Sequence, residues 1–157
     1  MMVRSKIARD QAIVDVINDL GGRAVLTDTS LPTGSDRKHA ALELTDPEAA
    51  HDAIVVLQGD LPTIDPATVR ATLEPLSRHS ECSIATLATE IEDPIELQAP
   101  SVVKIALAIH PDETIGRAVY FSRAVIPAGA GKHYHHVGMY AYRREALMRC
   151  SRAARKP

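Results

Sequence analysis

Apolar residues at Ile13, Val14, Ile17 and Leu20 recur at steps of three and four, which predicts a helix over 8–20, ended by Gly21-Gly22. The short run 23–27 predicts a strand. Residues 28–36, rich in Thr, Ser, Pro, Gly and Asp, predict a loop, and 37–44 a helix that stops before Pro47. The continuous run Ala53-Ile54-Val55-Val56-Leu57-Gln58 suits a strand buried on both faces. A helix over 66–76 takes Asp65 as its cap and Pro66 at its first position. Strands are expected at 82–89, 102–108, 118–121 and 137–142, with an acidic, proline-interrupted loop over 91–100, an exposed turn at 110–113 and a helix beginning at Arg143. Strands alternating with helices predict an α/β fold with a mostly parallel sheet. Ligands of such sheets bind beyond the carboxyl ends of the strands.

Composition narrows the function classes. At 157 residues the chain is one domain's length, and 45% hydrophobic with 24% charged residues excludes wholesale disorder. A net charge of −2 argues against a general nucleic-acid binder, which needs a basic face for phosphates. No apolar run is long enough to span a bilayer, and the first residues carry no apolar signal core. Two cysteines, Cys82 and Cys150, make no disulfide framework and fit a reducing, cytoplasmic setting, with Cys82 expected to be buried and inert. Aromatic residues are only 3%, so the core rests on Ala, Val, Ile and Leu, and a partner would help such a core.

Four places can carry chemistry. Gln58-Gly59-Asp60-Leu61-Pro62 follows an apolar strand. Gly59 permits close approach, Asp60 suits Mg²⁺, which takes one or two carboxylates plus phosphate oxygens, and Gln58 can hydrogen-bond a nucleotide. A tight turn capped by Asp60 explains the same residues equally well. Thr33-Gly34-Ser35-Asp36-Arg37 reads either as backbone N–H groups open to an anion or as a plain helix cap with Asp36 in the first turn. Arg123 ends the strand Tyr120-Phe121-Ser122, placed for a carboxylate or simply for solvent. His133, His135 and His136 cluster in sequence, but alternation turns His136 away from the other two, and no nearby Cys or carboxylate completes a tetrahedral metal set. His136 with Tyr140 lining a sugar-acid pocket is the better reading.

Taken in order, Thr33-Gly34-Ser35-Asp36-Arg37, Val56 to Ile64, Val103-Lys104, Tyr120 to Pro127 and His136 to Arg143 resemble the 3-deoxy-manno-octulosonate (KDO) cytidylyltransferase family. Each motif is modest alone; in this order and spacing, from about Ala8 to Ala146, they are specific. The resemblance implies a Rossmann-like nucleotidyltransferase sandwich acting as a homodimer, with CTP and KDO as substrates, CMP-KDO and pyrophosphate as products, and Mg²⁺ as cofactor in lipopolysaccharide precursor synthesis. It implies Asp60 as the catalytic Mg²⁺ ligand. Gln58, Gly59 and the Thr33-Gly34-Ser35 loop would contact the nucleotide. Arg123, His136 and Tyr140 would hold the carboxylate and hydroxyls of KDO.

Two family features have no counterpart among these residues: the Pro-Ala-Arg…Lys loop around the triphosphate, and a later segment with a second metal-binding aspartate. The expectation is therefore a partial cytidylyltransferase domain over 1–146, truncated at both ends and impaired in activity, followed by a basic tail at 147–157 foreign to the fold. Alternatives are an acylneuraminate-type cytidylyltransferase and a non-catalytic nucleotide-binding or dimerising remnant.

Overall fold

The computed structural model describes residues 6–8, 10–31, 33–57 and 63–153. Two compact units divide it: Val55–Ala141 forms one, and the segments on either side of it in sequence form the other.

The unit built from the outer segments begins with β1 (Lys6–Ala8), α1 (Gln11–Asp19) and β2 (Ala24–Leu26). Asp10 caps α1 by accepting the Ala12 N–H at 2.9 Å. The far end closes with paired bonds, Gly21 N–H to Asn18 O and Gly22 N–H to Ile17 O, both 2.9 Å, with Gly21 at φ +76°. Gly22 is required by packing, because a Cβ there would lie 2.7 Å from Ile17 Cγ2. The connection through α1 makes β1 and β2 parallel neighbours, with Ile7 opposite Val25. Ala8, expected to open the helix over 8–20, instead ends β1, and α1 starts only after its Asp10 cap.

Next comes α2 (Gly34–Thr45), starting three residues before the helix expected at 37–44 because Thr33 caps it. The last element is α5 (Arg144–Ala153), which packs against α2. Ala146 and Leu147 of α5 are buried, as are Ala8, Val14 and Ala41. The expected domain boundary after 146 therefore falls inside a helix, at a buried leucine. Asp46, just past α2, is a second anchor. Its carboxylate accepts from Ala50 N–H (3.0 Å) and His51 N–H (3.1 Å), and it pairs with the Arg144 guanidinium, which also donates to Asp46 O (2.8 Å) and His51 O (3.2 Å). Burial opposes ionisation of Asp46, but the hydrogen bonds from His51, Arg144 and Ala50 outweigh it and lower its pKa to about 2.

The second unit holds α3 (Pro66–Arg78), β4 (Ile84–Glu90), α4 (Pro94–Gln98), β5 (Lys104–Ala108), β6 (Arg117–Ser122) and most of β7 (Tyr134–Arg143). The strand β3 (Ala53–Val56) leads into it. The larger sheet has the order β3-β7-β5-β6, and β4 also pairs with β7. The expectation of a mostly parallel sheet does not hold for β5, which runs antiparallel to both β6 and β7. Residues 109–116 between β5 and β6 are too few for a crossover helix, so the chain folds back as a hairpin. The α/β class stands. α4 lies in the segment expected to be a loop; Asp93 caps it with a 2.8 Å bond from Ile95 N–H, and Pro94 opens it. Leu76, Ala85, Ile105, Met139 and Ala141 form the buried apolar set of this unit. No aromatic ring is among the buried residues of either unit as described. Cys82 is partly exposed rather than buried, because β4 starts two residues after it; neither cysteine forms a disulfide. Among the described residues, no helix is long and apolar enough to cross a membrane.

Candidate functional site

The expected nucleotide and metal residues Gln58, Gly59 and Asp60 lie outside the described residues, as do Leu61 and Pro62. Among the described residues, no three His, Cys, Asp or Glu side chains converge as a metal site.

The loop Thr33-Gly34-Ser35 is described, and its geometry is that of a helix cap. The Thr33 hydroxyl donates to Asp36 Oδ2 at 2.6 Å while its oxygen accepts the Asp36 N–H at 3.1 Å. Asp36 itself is fully buried. The Thr33 side chain is thus committed within the helix start. What the loop offers a ligand is the first-turn backbone N–H groups, which no helix can satisfy internally, and the Ser35 hydroxyl. A buried carboxylate already complements the positive end of α2, so this spot suits the neutral groups of a nucleoside better than a phosphate. A Cβ on Gly34 would meet nothing within 4 Å, so no neighbour in the protein demands glycine there.

The three expected sugar-acid residues all lie in the second unit. Arg123 follows β6, and its guanidinium donates to Pro100 O at 2.7 Å and Ser101 O at 3.5 Å. The same turn is gripped from beneath by Lys104. That side chain is fully buried, and its ammonium donates to Ala99 O (2.7 Å), Val102 O (3.0 Å) and Arg123 O (3.1 Å). Three N–H donors meet three carbonyls, so the buried cation is fully hydrogen-bonded without a carboxylate. Lys104 thereby ties the backbone of Arg123 to the turn that Arg123 itself holds. In the sequence Lys104 stands out only as part of the Val103-Lys104 motif; one lysine opening an apolar strand, Lys104-Ile105-Ala106-Leu107-Ala108, is the available signal.

The histidines of the 133–136 segment point to separate partners. His133 Nε2 lies 3.1 Å from Pro127 O, and His135 Nδ1 lies 2.8 Å from Glu96 Oε1. Glu96, on α4, is the nearby carboxylate that the sequence did not reveal. His136 is half-buried on β7, with Phe121 edge-on at 5.0 Å and Tyr140 tilted at 5.3 Å between ring centroids. Its Nε2 lies 2.9 Å from the hydroxyl of Thr86 on β4, and its backbone N–H donates to Val103 O at 2.8 Å. Burial, reinforced by the neighbouring His135, lowers the pKa of His136, which favours the neutral ring. Burial raises that of Tyr140, which keeps the phenol protonated. The structure therefore brings His136 and Tyr140 together, adds Phe121 and Thr86, and gives Arg123 backbone partners. A neutral imidazole, a phenol and an aromatic edge form a small amphipathic surface of the kind that holds polyhydroxylated ligands by directed hydrogen bonds.

Comparison with known proteins agrees with these motifs. The family model described as cytidylyltransferase matches residues 8–156. The chain is 50% identical over 137 residues to the 3-deoxy-manno-octulosonate cytidylyltransferase of Paramagnetospirillum magneticum, and 54% identical over 140 residues to that of Rhodospirillum centenum. These alignments cover 87% and 89% of this chain but 55% and 54% of the relatives, so the chain spans about half the length of the curated relatives it matches. Among solved structures, a CMP:2-keto-3-deoxy-manno-octonic acid synthetase complexed with CTP superposes with a TM-score of 0.82 at 29% identity, covering 97% of this chain and 61% of that one. On the family match, which runs through nearly all of the sequence, the chain belongs to the cytidylyltransferase family.

Proposed function

We propose that the protein acts in the transfer of CMP from CTP to KDO, with release of pyrophosphate. The observation that carries this reading is the 50–54% identity to KDO cytidylyltransferases over 137–140 residues. The CTP bound in the structurally similar synthetase supports the nucleotide. In this reading the fold is a Rossmann-like nucleotidyltransferase sandwich that dimerises, and the reaction serves lipopolysaccharide precursor synthesis in the cytoplasm. The exposed strand β6, which presents Val119, Tyr120 and Phe121, favours association with a second copy.

The chemistry asked of the chain is positioning. A sugar-acid hydroxyl attacks the α-phosphate of CTP in line, and the pyrophosphate leaves opposite it. Gln58, Gly59, Thr33, Gly34 and Ser35 form the nucleotide side. His136 and Tyr140 hold sugar hydroxyls, and Arg123 meets the carboxylate by exchanging its contacts to Pro100 O and Ser101 O for the ligand. Asp60 is the residue that would hold Mg²⁺, which when bound neutralises phosphate charge. Calorimetric titration of the purified chain with CTP and Mg²⁺, run alongside a pyrophosphate-release assay with KDO, tests the proposal. Binding with turnover is the expected result for a catalytic chain. Binding without turnover would reassign it as a nucleotide-binding unit, and a folded chain that binds neither substrate would refute the reading.

A further inference from the structure

The hydroxyl of Thr86 has three neighbours and one proton. Met139 O lies at 2.8 Å, Val137 O at 3.2 Å and His136 Nε2 at 2.9 Å. Carbonyl oxygens only accept. If the hydroxyl proton pointed at His136, the oxygen lone pairs of Thr86 would face both carbonyls at hydrogen-bond distance, an arrangement with no donor in it. The proton therefore goes to the carbonyls, and the remaining interaction requires Nε2 of His136 to carry its own proton and donate to Thr86 Oγ1. In the neutral ring, this leaves Nδ1 as the acceptor nitrogen. Among the described residues, no hydrogen-bond partner for that nitrogen is found. Phe121 and Tyr140 pack at 5.0 and 5.3 Å and limit the reorientation of the ring.

We infer that Thr86 is a positioning residue that sets the tautomer of His136, so that Nδ1 accepts a hydrogen bond from a substrate hydroxyl and does not serve as a donor to a carboxylate. The substrate half of this inference rests on the proposed sugar-acid site; the tautomer half rests only on the three distances at Thr86. It assigns a division of labour: Arg123 for the carboxylate, His136 for a hydroxyl. The two halves are separable by experiment.

The test is imidazole ¹⁵N NMR on the full chain near neutral pH, with Thr86→Val and Thr86→Ser beside the unchanged protein and KDO affinity measured by calorimetry on each. The unchanged protein and Thr86→Ser should show Nε2 protonated and Nδ1 bare. Thr86→Val should lose that preference and bind KDO roughly tenfold more weakly, the order of one hydrogen bond, while CTP affinity stays the same. A proton on Nδ1 in the unchanged protein overturns the inference, as does a Thr86→Val protein whose tautomer is unaltered. If Thr86→Val does not fold, Thr86→Ser and the unchanged protein still decide it, because Nδ1–H in either overturns it. The predicted tautomer, with no KDO binding by any of the three proteins, would uphold Thr86 as the positioning residue and refute the sugar-acid reading instead.

Discussion

Two threonines in this chain use the same hydroxyl chemistry at very different reach. Thr33 bonds Asp36, three residues on, and the result is the start of α2. Thr86 bonds His136, Val137 and Met139, at least fifty residues on, and the result is an oriented imidazole. The first arrangement closes locally: the donor and the acceptor of the Thr33 hydroxyl are both satisfied by Asp36 inside one turn, which leaves that side chain nothing to offer a ligand. The second is open: satisfying Thr86 and its carbonyls leaves one ring nitrogen of His136 defined as an acceptor. A hydroxyl that closes a local loop of hydrogen bonds stabilises; one that closes a long-range loop through a titratable ring also specifies chemistry.

The largest expected effect tests whether the His136 side of this comparison is held from outside. Lys104→Met keeps the apolar stem and removes the ammonium, leaving Ala99 O, Val102 O and Arg123 O without their donor. A buried acceptor left unpaired costs about 1–3 kcal/mol, and these three are only part-buried, so a loss of about 3 kcal/mol is expected in urea denaturation. Sugar-acid binding should fall with it, because the backbone of Arg123 loses its tether. Unchanged stability would mean that these carbonyls are equally well served by water and that the turn is not held by Lys104.

The α2 side has its own anchor, and it is sensitive to acid. Asp46 is lowered from 3.8 to about 2 in the folded protein. A carboxylate with a depressed folded pKa binds protons more readily when unfolded, so its stabilisation is complete above the ordinary value and is lost as pH falls through about 2. The expected outcome is a stability difference between the unchanged protein and Asp46→Asn that is constant above about pH 5 and narrows between about pH 4 and 2. Urea midpoints measured across that range check it. A gap of constant size would mean that the Arg144 and His51 contacts do not depend on the charge of Asp46.

The same difference in reach explains what could be read in the sequence. Asp65-Pro66 announced the start of α3, Gly21-Gly22 the end of α1, and the apolar runs announced β3, β4 and β5, because each signal lies within a few residues of what it controls. Thr33 and Asp36 were legible as a cap for that reason. His136 and Tyr140, four apart on β7, were legible as a pair, and the structure puts their rings in contact. Thr86 was not legible, since a threonine in the apolar strand Ile84-Ala85-Thr86-Leu87 is ordinary until β4 is placed beside β7. Glu96 was hidden likewise: nothing in the acidic stretch 91–100 marks which carboxylate α4 will carry to His135. The antiparallel setting of β5 was readable in principle from the short 109–116 connection, but the alternation of strands and helices outweighed it.

The smallest effect separates folding from ligand approach at α2. Thr33→Ala removes the cap and should cost about 1 kcal/mol, read as a lower urea midpoint. Gly34→Ala should do the reverse. A Cβ at 34 meets no atom within 4 Å and replaces the poorest ordinary helix former with the best, so stability should hold or rise by up to roughly 1 kcal/mol. The two variants therefore move stability in opposite directions at adjacent positions. If CTP binds against the backbone of this loop, the methyl of Gly34→Ala stands where the nucleotide approaches, and affinity should fall although the fold is intact. The Thr33→Ala protein should retain CTP affinity once unfolding is accounted for, because its hydroxyl faces Asp36. The opposite pattern, with Thr33→Ala weakening CTP and Gly34→Ala leaving it unchanged, would show that Thr33 leaves its cap to meet the nucleotide, and the distinction between the two threonines would collapse.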